Sequence, residues 1–300
     1  MYTQMLVPLD GSKIAEAVLP YARMLAENLQ IPVELLTVVN VAETSKHVHA
    51  GQFTYFDTLI RDQVLSVEKY LNGVAKSFQG ETVSCSVEKG ITAGTILNKA
   101  EADNGTLIAM ATHGRSGLKR WLLGSIAEKV LRAAKNPLFL IRANEEATTD
   151  GKTVLDSVIV PLDGSELAES VLPHAVELAK ALDSKLRLMR SYDVTGMTLS
   201  YRDYSGFTAL SAKCKNEAIS YLDVKVNQLK KEKLSDVASF LREGEPAEEI
   251  IEAAKGAPNS LIAMCTHGRS GVDRWMLGSV TEKVVRHSGN PVLVIRATTV

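Results

Sequence analysis

Three hundred residues, 45% of them hydrophobic, supply enough apolar material for two ordinary domain cores. A formal net charge of -1 offers no basic field for nucleic acid or an anionic membrane surface. The three cysteines, Cys85, Cys214 and Cys265, lie far apart without Cys-x-x-Cys or metal-ligand spacing, so a reducing compartment with no disulfide framework is expected.

The first ten residues lack the charged start, long apolar stretch and cleavage site of a signal peptide. No apolar run approaches the roughly 20 residues that span a bilayer, and a cytoplasmic location is expected. Met5 to Asp10 reads as a strand and leads into an amphipathic helical stretch, Ser12 to Leu29, with Ile14, Ala17, Val18, Tyr21, Ala22 and Leu25 on one stripe. Strands are predicted at Val33 to Val39, Thr82 to Glu88, Leu107 to Thr112 and Leu138 to Arg142. Residues 143–156 are polar, punctuated by Gly151, and read as a linker. Strands then return at Ser157 to Asp163, Lys185 to Tyr192, Val237 to Leu241, Leu261 to Thr266 and Val292 to Arg296. The poorest match between the halves falls at Ala42 to Thr58 and Asp193 to Thr208, where loops or lids near a crevice are expected.

The second half therefore repeats the first. Val7-Pro-Leu-Asp-Gly-Ser12 returns as Val160-Pro-Leu-Asp-Gly-Ser165. Ala111-Thr-His-Gly-Arg-Ser-Gly-Leu-Lys-Arg-Trp-Leu-Leu-Gly-Ser125 returns as Cys265-Thr-His-Gly-Arg-Ser-Gly-Val-Asp-Arg-Trp-Met-Leu-Gly-Ser279. Strands alternating with helices, several of them continuously apolar, predict an α/β protein of two tandem doubly wound parallel five-stranded sheets, Rossmann-like, in strand order 3-2-1-4-5. The domains are expected at 1–143 and 157–300, joined by 144–156. In such a sheet ligands bind beyond the carboxyl ends of the strands that flank the reversal of order, where Asp10 and Gly114 would meet.

Glycines 114, 117 and 124 separate a buried strand from a helix start, a setting in which backbone N–H groups gather around an anion. Their spacing is neither that of the P-loop nor the dinucleotide pattern Gly-x-Gly-x-x-Gly. Ser125-Ile-Ala-Glu128 and Ser279-Val-Thr-Glu282 fit a capping box, with the serines as N-caps. Asp10 and Asp163 suit two roles equally: a turn carboxylate that helps Ser12 or Ser165 cap the next helix, or a ligand for ribose or a divalent cation. His113 and His267 lack a second metal ligand at helical spacing and read as structural or pocket-lining, and His47 and His49 as a solvated pair. Arg115, Arg269, Arg120 and Arg274 are candidates to pair with phosphate, Lys119 makes the first loop more positive than Asp273 makes the second, and Trp121 and Trp275 read as packing.

Taken together with the endings Asn136-Pro-Leu-Phe-Leu-Ile-Arg142 and Asn290-Pro-Val-Leu-Val-Ile-Arg296, these motifs resemble the universal stress protein family in its tandem two-domain form. Its ATP-binding members carry Gly-x2-Gly-x9-Gly-Ser/Thr. Gly114 with Gly124-Ser125, and Gly268 with Gly278-Ser279, match the second part, while Ala111 and Cys265 replace the first glycine. The resemblance implies binding of ATP or a related adenine nucleotide, with Mg2+ carried by the nucleotide. It assigns Asp10, Val38, Ala111, Gly114, Arg115, Gly124 and Ser125 to the first site, with Val38 against adenine. Asp163, Ser191, Cys265, Gly268, Arg269, Gly278 and Ser279 make the second. There Ser191 turns an apolar base contact polar and Cys265 crowds the loop, so the first site is expected to be the better one.

No metal site is expected from the protein alone, although Asp10 can reach nucleotide-bound Mg2+. No catalytic residue is identified, and slow ATP hydrolysis is the most that the resemblance allows. It further implies that the two domains pack as an internal pseudo-dimer through their last strands, that two chains can associate as a homodimer, and that an unidentified protein partner reads a stress or signalling state. Neither nucleic acid nor membrane is an expected partner. The alternative is a nucleotide-independent interaction scaffold, and a third idea makes Cys265 or Cys85 an oxidant sensor, which needs a depressed thiol pKa.

Overall fold

Continuous apolar strands need cover on both faces, and helices provide it in each repeat. The computed structural model describes residues 1–41, 53–80, 82–112, 123–142, 153–193, 204–232, 234, 236–266 and 277–296. They divide into two units, Met1–Thr153 and Val154–Val300.

In unit 1 the described strands are β1 (Gln4–Pro8), β2 (Val33–Val39), β3 (Val83–Lys89), β4 (Thr106–Ala111) and β5 (Leu138–Ile141). All pair in parallel, in the order β3-β2-β1-β4-β5. Unit 2 repeats this with β6 (Ser157–Pro161), β7 (Lys185–Tyr192), β8 (Val237–Glu243), β9 (Ser260–Cys265) and β10 (Val292–Ile295), in the order β8-β7-β6-β9-β10. The expected order 3-2-1-4-5 therefore holds in each unit. Every residue of β4, β5, β9 and β10 is buried, as their uninterrupted apolar sequences require. The outermost strands β3 and β8 are instead half-exposed and carry charges such as Lys89 and Arg242, which discourage edge pairing.

The stretch from Ser12 to Leu29 is two helices rather than one, α1 (Lys13–Glu16) and α2 (Leu19–Leu29). Pro20, in the first turn of α2, lacks the N–H that a continuous helix would donate to Glu16, so the axis breaks just before it. Unit 2 has the same break ahead of Pro173, between α6 (Glu166–Glu169) and α7 (Leu172–Ala181). The segments expected to be loops before residues 58 and 208 are partly helical: α3 spans Phe53–Ala75 and α8 spans Tyr204–Lys231. The remaining long helices are α4 (Thr92–Glu101) and α5 (Ser125–Ala133) in unit 1, and α9 (Pro246–Lys255) and α10 (Ser279–His287) in unit 2. Leu155 and Asp156, read as linker, are engaged in unit 2: Leu155 is buried, and Asp156 N–H donates to Asn259 O at 2.8 Å. Among the described residues no helix is long and apolar enough to cross a membrane.

The Asn-Pro pairs are structural. Asn290 is buried and its amide donates to Ala257 O (3.0 Å), Ser260 O (3.2 Å) and Ser260 Oγ (3.1 Å), locking the turn from α9 into β9. Pro291 O then accepts Ile262 N–H at 3.0 Å, so β10 enters in register. Asn136 does the same through Asp103 O at 2.9 Å. Replacing Asn290 by Ala orphans several buried acceptors, and we expect a loss of roughly 2 kcal/mol in the urea unfolding of unit 2.

Candidate functional site

At the reversal of strand order, β1 lies between β2 and β4, and β6 between β7 and β9. The chain leaves β1 through Leu9, Asp10 and Gly11, with Gly11 at φ 80, and leaves β6 through Gly164 at φ 88. Both glycines occupy the left-handed region, which explains why the Asp-Gly-Ser turn keeps glycine in each copy. Ser12 N–H and Ser12 Oγ donate to Asp10 Oδ1 at 2.9 and 2.6 Å, and Ala15 N–H donates to Ser12 Oγ at 3.1 Å, capping α1. Asp163, Ser165 and Ala168 repeat these contacts at 2.9, 2.6 and 3.2 Å. The turn role of the two aspartates is therefore real, and it fixes both carboxylates at the strand ends.

The helix that follows β4 does not begin with a capping box. Gly124 is the N-cap of α5 and Gly278 that of α10, neither receives a side-chain cap, and Ser125 and Ser279 are the first helical residues, exposed to solvent. Glu128 pairs with Arg132 (3.2 Å) and Glu282 with Arg286 (2.9 Å). Glycine takes the N-cap because of the hydrogen bond from Gly124 N–H to Thr112 O, 2.8 Å, matched by Gly278 to Thr266, 2.8 Å, which starts each helix one residue early. The glycine φ values of -61 and -62 are open to any residue, so backbone conformation does not require glycine there.

In unit 2 these parts enclose a cavity of about 450 Å3, whose lining includes Asp163, Ser191, Cys265, Gly278 and Ser279. Five of the seven residues expected at the second site thus meet there. Their counterparts in unit 1 occupy the matching ends: Asp10 after β1, Val38 next to last in β2, Ala111 at the end of β4, and Gly124 and Ser125 at the start of α5. Gly114, Arg115, Gly268 and Arg269 lie outside the described residues, as do Gly117, His47, His49, His113, His267, Lys119, Arg120, Asp273, Arg274, Trp121 and Trp275.

Cys265 does not obstruct this cavity. Its Sγ turns toward α6, 3.1 Å from Ser170 Oγ and 3.6 Å from Ala168 O. Unit 1 has Ala17 and Ala111 at the two corresponding places, both buried, so the pair has changed together. Burial pushes the Cys265 thiol up to about 11 against the opposing Ser170 hydrogen bond, and burial also raises Cys85. A depressed pKa, which oxidant sensing requires, is absent at both. Among the described residues no group of three or more His, Cys, Asp or Glu could hold a metal.

Arg190, Tyr192, Cys214 and Glu217 also line the cavity and escaped the sequence reading. So did a contact made by both long helices: Tyr70 OH donates to Glu16 Oε1 and Tyr221 OH to Glu169 Oε1, each at 2.8 Å. Setting the two copies side by side would have exposed this repeated Tyr and Glu.

A model of the universal stress protein family matches residues 1–142 and 155–296, and the chain belongs to that family. A universal stress protein of Mycolicibacterium smegmatis is 24% identical over 300 residues, covering 97% of this chain and 96% of its own length. Universal stress protein MJ0531 of Methanocaldococcus jannaschii is 31% identical over 155 residues, 49% of this chain and 85% of its own. The crystal structure of a universal stress protein from Archaeoglobus fulgidus aligns over 98% of both chains at 21% identity, with a TM-score of 0.71, and shares the fold.

Two outcomes check this geometry. Ser12→Ala should lower stability by about 1 kcal/mol because it removes a cap, while Ser125→Ala should stay within about 0.5 kcal/mol in urea unfolding. Under native conditions at pH 8, iodoacetamide followed by peptide mass spectrometry should label half-buried Cys214 well before Cys265.

Proposed function

We propose that the units hold adenine nucleotides at the ends of their sheets, with phosphates against the N-termini of α5 and α10 and ribose beside Asp10 and Asp163. The observation that carries this reading is the cavity of unit 2, in which a fixed carboxylate and an uncapped glycine-started helix face the same space. A helix N-terminus offers N–H donors and a favourable dipole to phosphate oxygens, and the bare glycine lets them approach. Gly114, Arg115, Gly268 and Arg269 are proposed to complete the phosphate contacts, and Val38 and Ser191 to meet the base.

Mg2+ fits as a companion of the nucleotide, since one carboxylate per site supplements phosphate oxygens and waters without forming a protein cage. The loss of the capping-box role favours binding over a nucleotide-independent scaffold, because Ser125 and Ser279 then lack that structural reason to follow the glycines. We assign no catalytic residue. Nucleotide occupancy is proposed to change shape or partner preference as part of a stress or signalling response in the cytoplasm.

Titration calorimetry of Mg-ATP into nucleotide-free protein should show binding in the micromolar to millimolar range at two sites per chain. Gly278→Val, allowed by the backbone but filling the approach to the helix, should weaken one site about tenfold or more and spare the other. A folded sample that binds no nucleotide would contradict the reading and leave the scaffold.

A further inference from the structure

The second strand ends in an aromatic ring in unit 2 and in an aliphatic side chain in unit 1. Pro8 pairs with Leu36 and Pro161 with Met189, so Val39 and Tyr192, further along β2 and β7, hold the same place. The edge strands agree, since Val39 stands opposite Lys89 and Tyr192 opposite Glu243, each at the last position of its ladder. Val39 is 2% exposed and belongs to the core. Tyr192 is half-buried and lines the cavity of unit 2 beside Ser191.

Two bonds hold Tyr192 in place. Its hydroxyl donates to Glu243 Oε2 at 2.8 Å, and its carbonyl accepts Gly244 N–H at 3.0 Å. Unit 1 keeps the backbone bond, from Gly90 N–H to Val39 O at 3.1 Å, and has no hydroxyl to make the other. The Glu243 hydrogen bond also raises the phenol above its ordinary range, so the ring stays neutral and adds no negative charge to the cavity. Among the described residues neither a second ring nor a cation packs against it.

A ring fixed at both its tip and its backbone has its orientation set before a ligand arrives. Such a ring stacks a nucleobase through the π-face that every base presents. We infer that Tyr192 is the stacking platform for the nucleobase in unit 2, a contact that unit 1 lacks at Val39, so that the base contributes more to binding in the second site. The inference rests on the nucleotide reading of this cavity. It also restores base contact that Ser191, standing where unit 1 has Val38, gives up. A cross-strand pair that merely tied β7 to β8 would depend on the phenol oxygen, whereas stacking depends on the ring.

That difference can be measured on the full chain by calorimetry, with AMP titrated directly and ribose 5-phosphate, which has no base, read by its displacement of AMP. Tyr192→Val installs the residue of unit 1 and should weaken AMP about tenfold at one site, while ribose 5-phosphate there changes by less than about threefold. Tyr192→Phe keeps the ring without the bond to Glu243 and should hold AMP within about threefold of wild type. An AMP affinity unchanged in Tyr192→Val would overturn the inference and leave nucleotide binding in place. So would equal losses for AMP and ribose 5-phosphate, or equal losses of AMP in the Val and Phe variants. Folded wild-type protein that binds no AMP would remove the inference together with the reading beneath it. Should Tyr192→Val not fold, Tyr192→Leu, equally without a ring, serves in its place.

Discussion

The hydrogen bond from a glycine N–H to the carbonyl of the threonine just past β4 or β9 sets up everything else at the crevice. It closes the chain between residues 112 and 124, and between 266 and 278, at 2.8 Å in both units. Because the bond makes glycine the N-cap, the N-cap residue of α5 or α10 offers no side chain to the first-turn N–H groups. Donors at the positive end of a helix that no cap meets are satisfied by water and are available to an anion. They stand beside the first strand's exit, where the Asp-Gly-Ser turn holds a carboxylate. In unit 2 the fold thus places a donor-rich and an acceptor-rich surface on one cavity.

The two copies act as an internal comparison. Replacing Ala111 by Cys265 would crowd a buried strand end, yet Ser170 stands where the first copy has Ala17, and the sulfur settles between Ser170 and α6. What the second unit changes on the crevice wall includes polarity: Val38 becomes Ser191 and Thr37 becomes Arg190, and both Ser191 and Arg190 line the cavity of unit 2. The anchoring bonds of the crevice are retained in both units while residues along its wall differ.

Much of this was legible in the sequence, for physical reasons that differ by element. Runs such as Leu107-Ile-Ala-Met-Ala111 can only be strands covered on both faces, and the parallel order follows from their alternation with helices. Asp10 and Asp163 were legible as turn carboxylates, one of the two roles that Asp-Gly-Ser suited equally, because the short carboxylate reaches the backbone two residues on. The capping box was misleading: Ser-x-x-Glu has the right spacing, but the start of the helix depends on a long-range bond to Thr112 or Thr266 that no local pattern reveals. The break at Pro20 was visible as a residue and obscured by a strong apolar stripe on either side of it. The place of Arg190 on the cavity wall could not be found, because it depends on how α8 lies against β7 and brings Tyr221 to the guanidinium. The thiol of Cys265 likewise depended on burial that only packing creates.

The central claim is that backbone N–H groups at the start of α5 and α10 hold phosphate, and amide hydrogen exchange reads those groups directly. Exchange followed by mass spectrometry, with and without Mg-ATP, should show protection at residues 125–127 and 279–281 beyond any change in helices α4 and α9. Unchanged exchange at both helix starts while nucleotide is bound would place the ligand elsewhere and contradict the account.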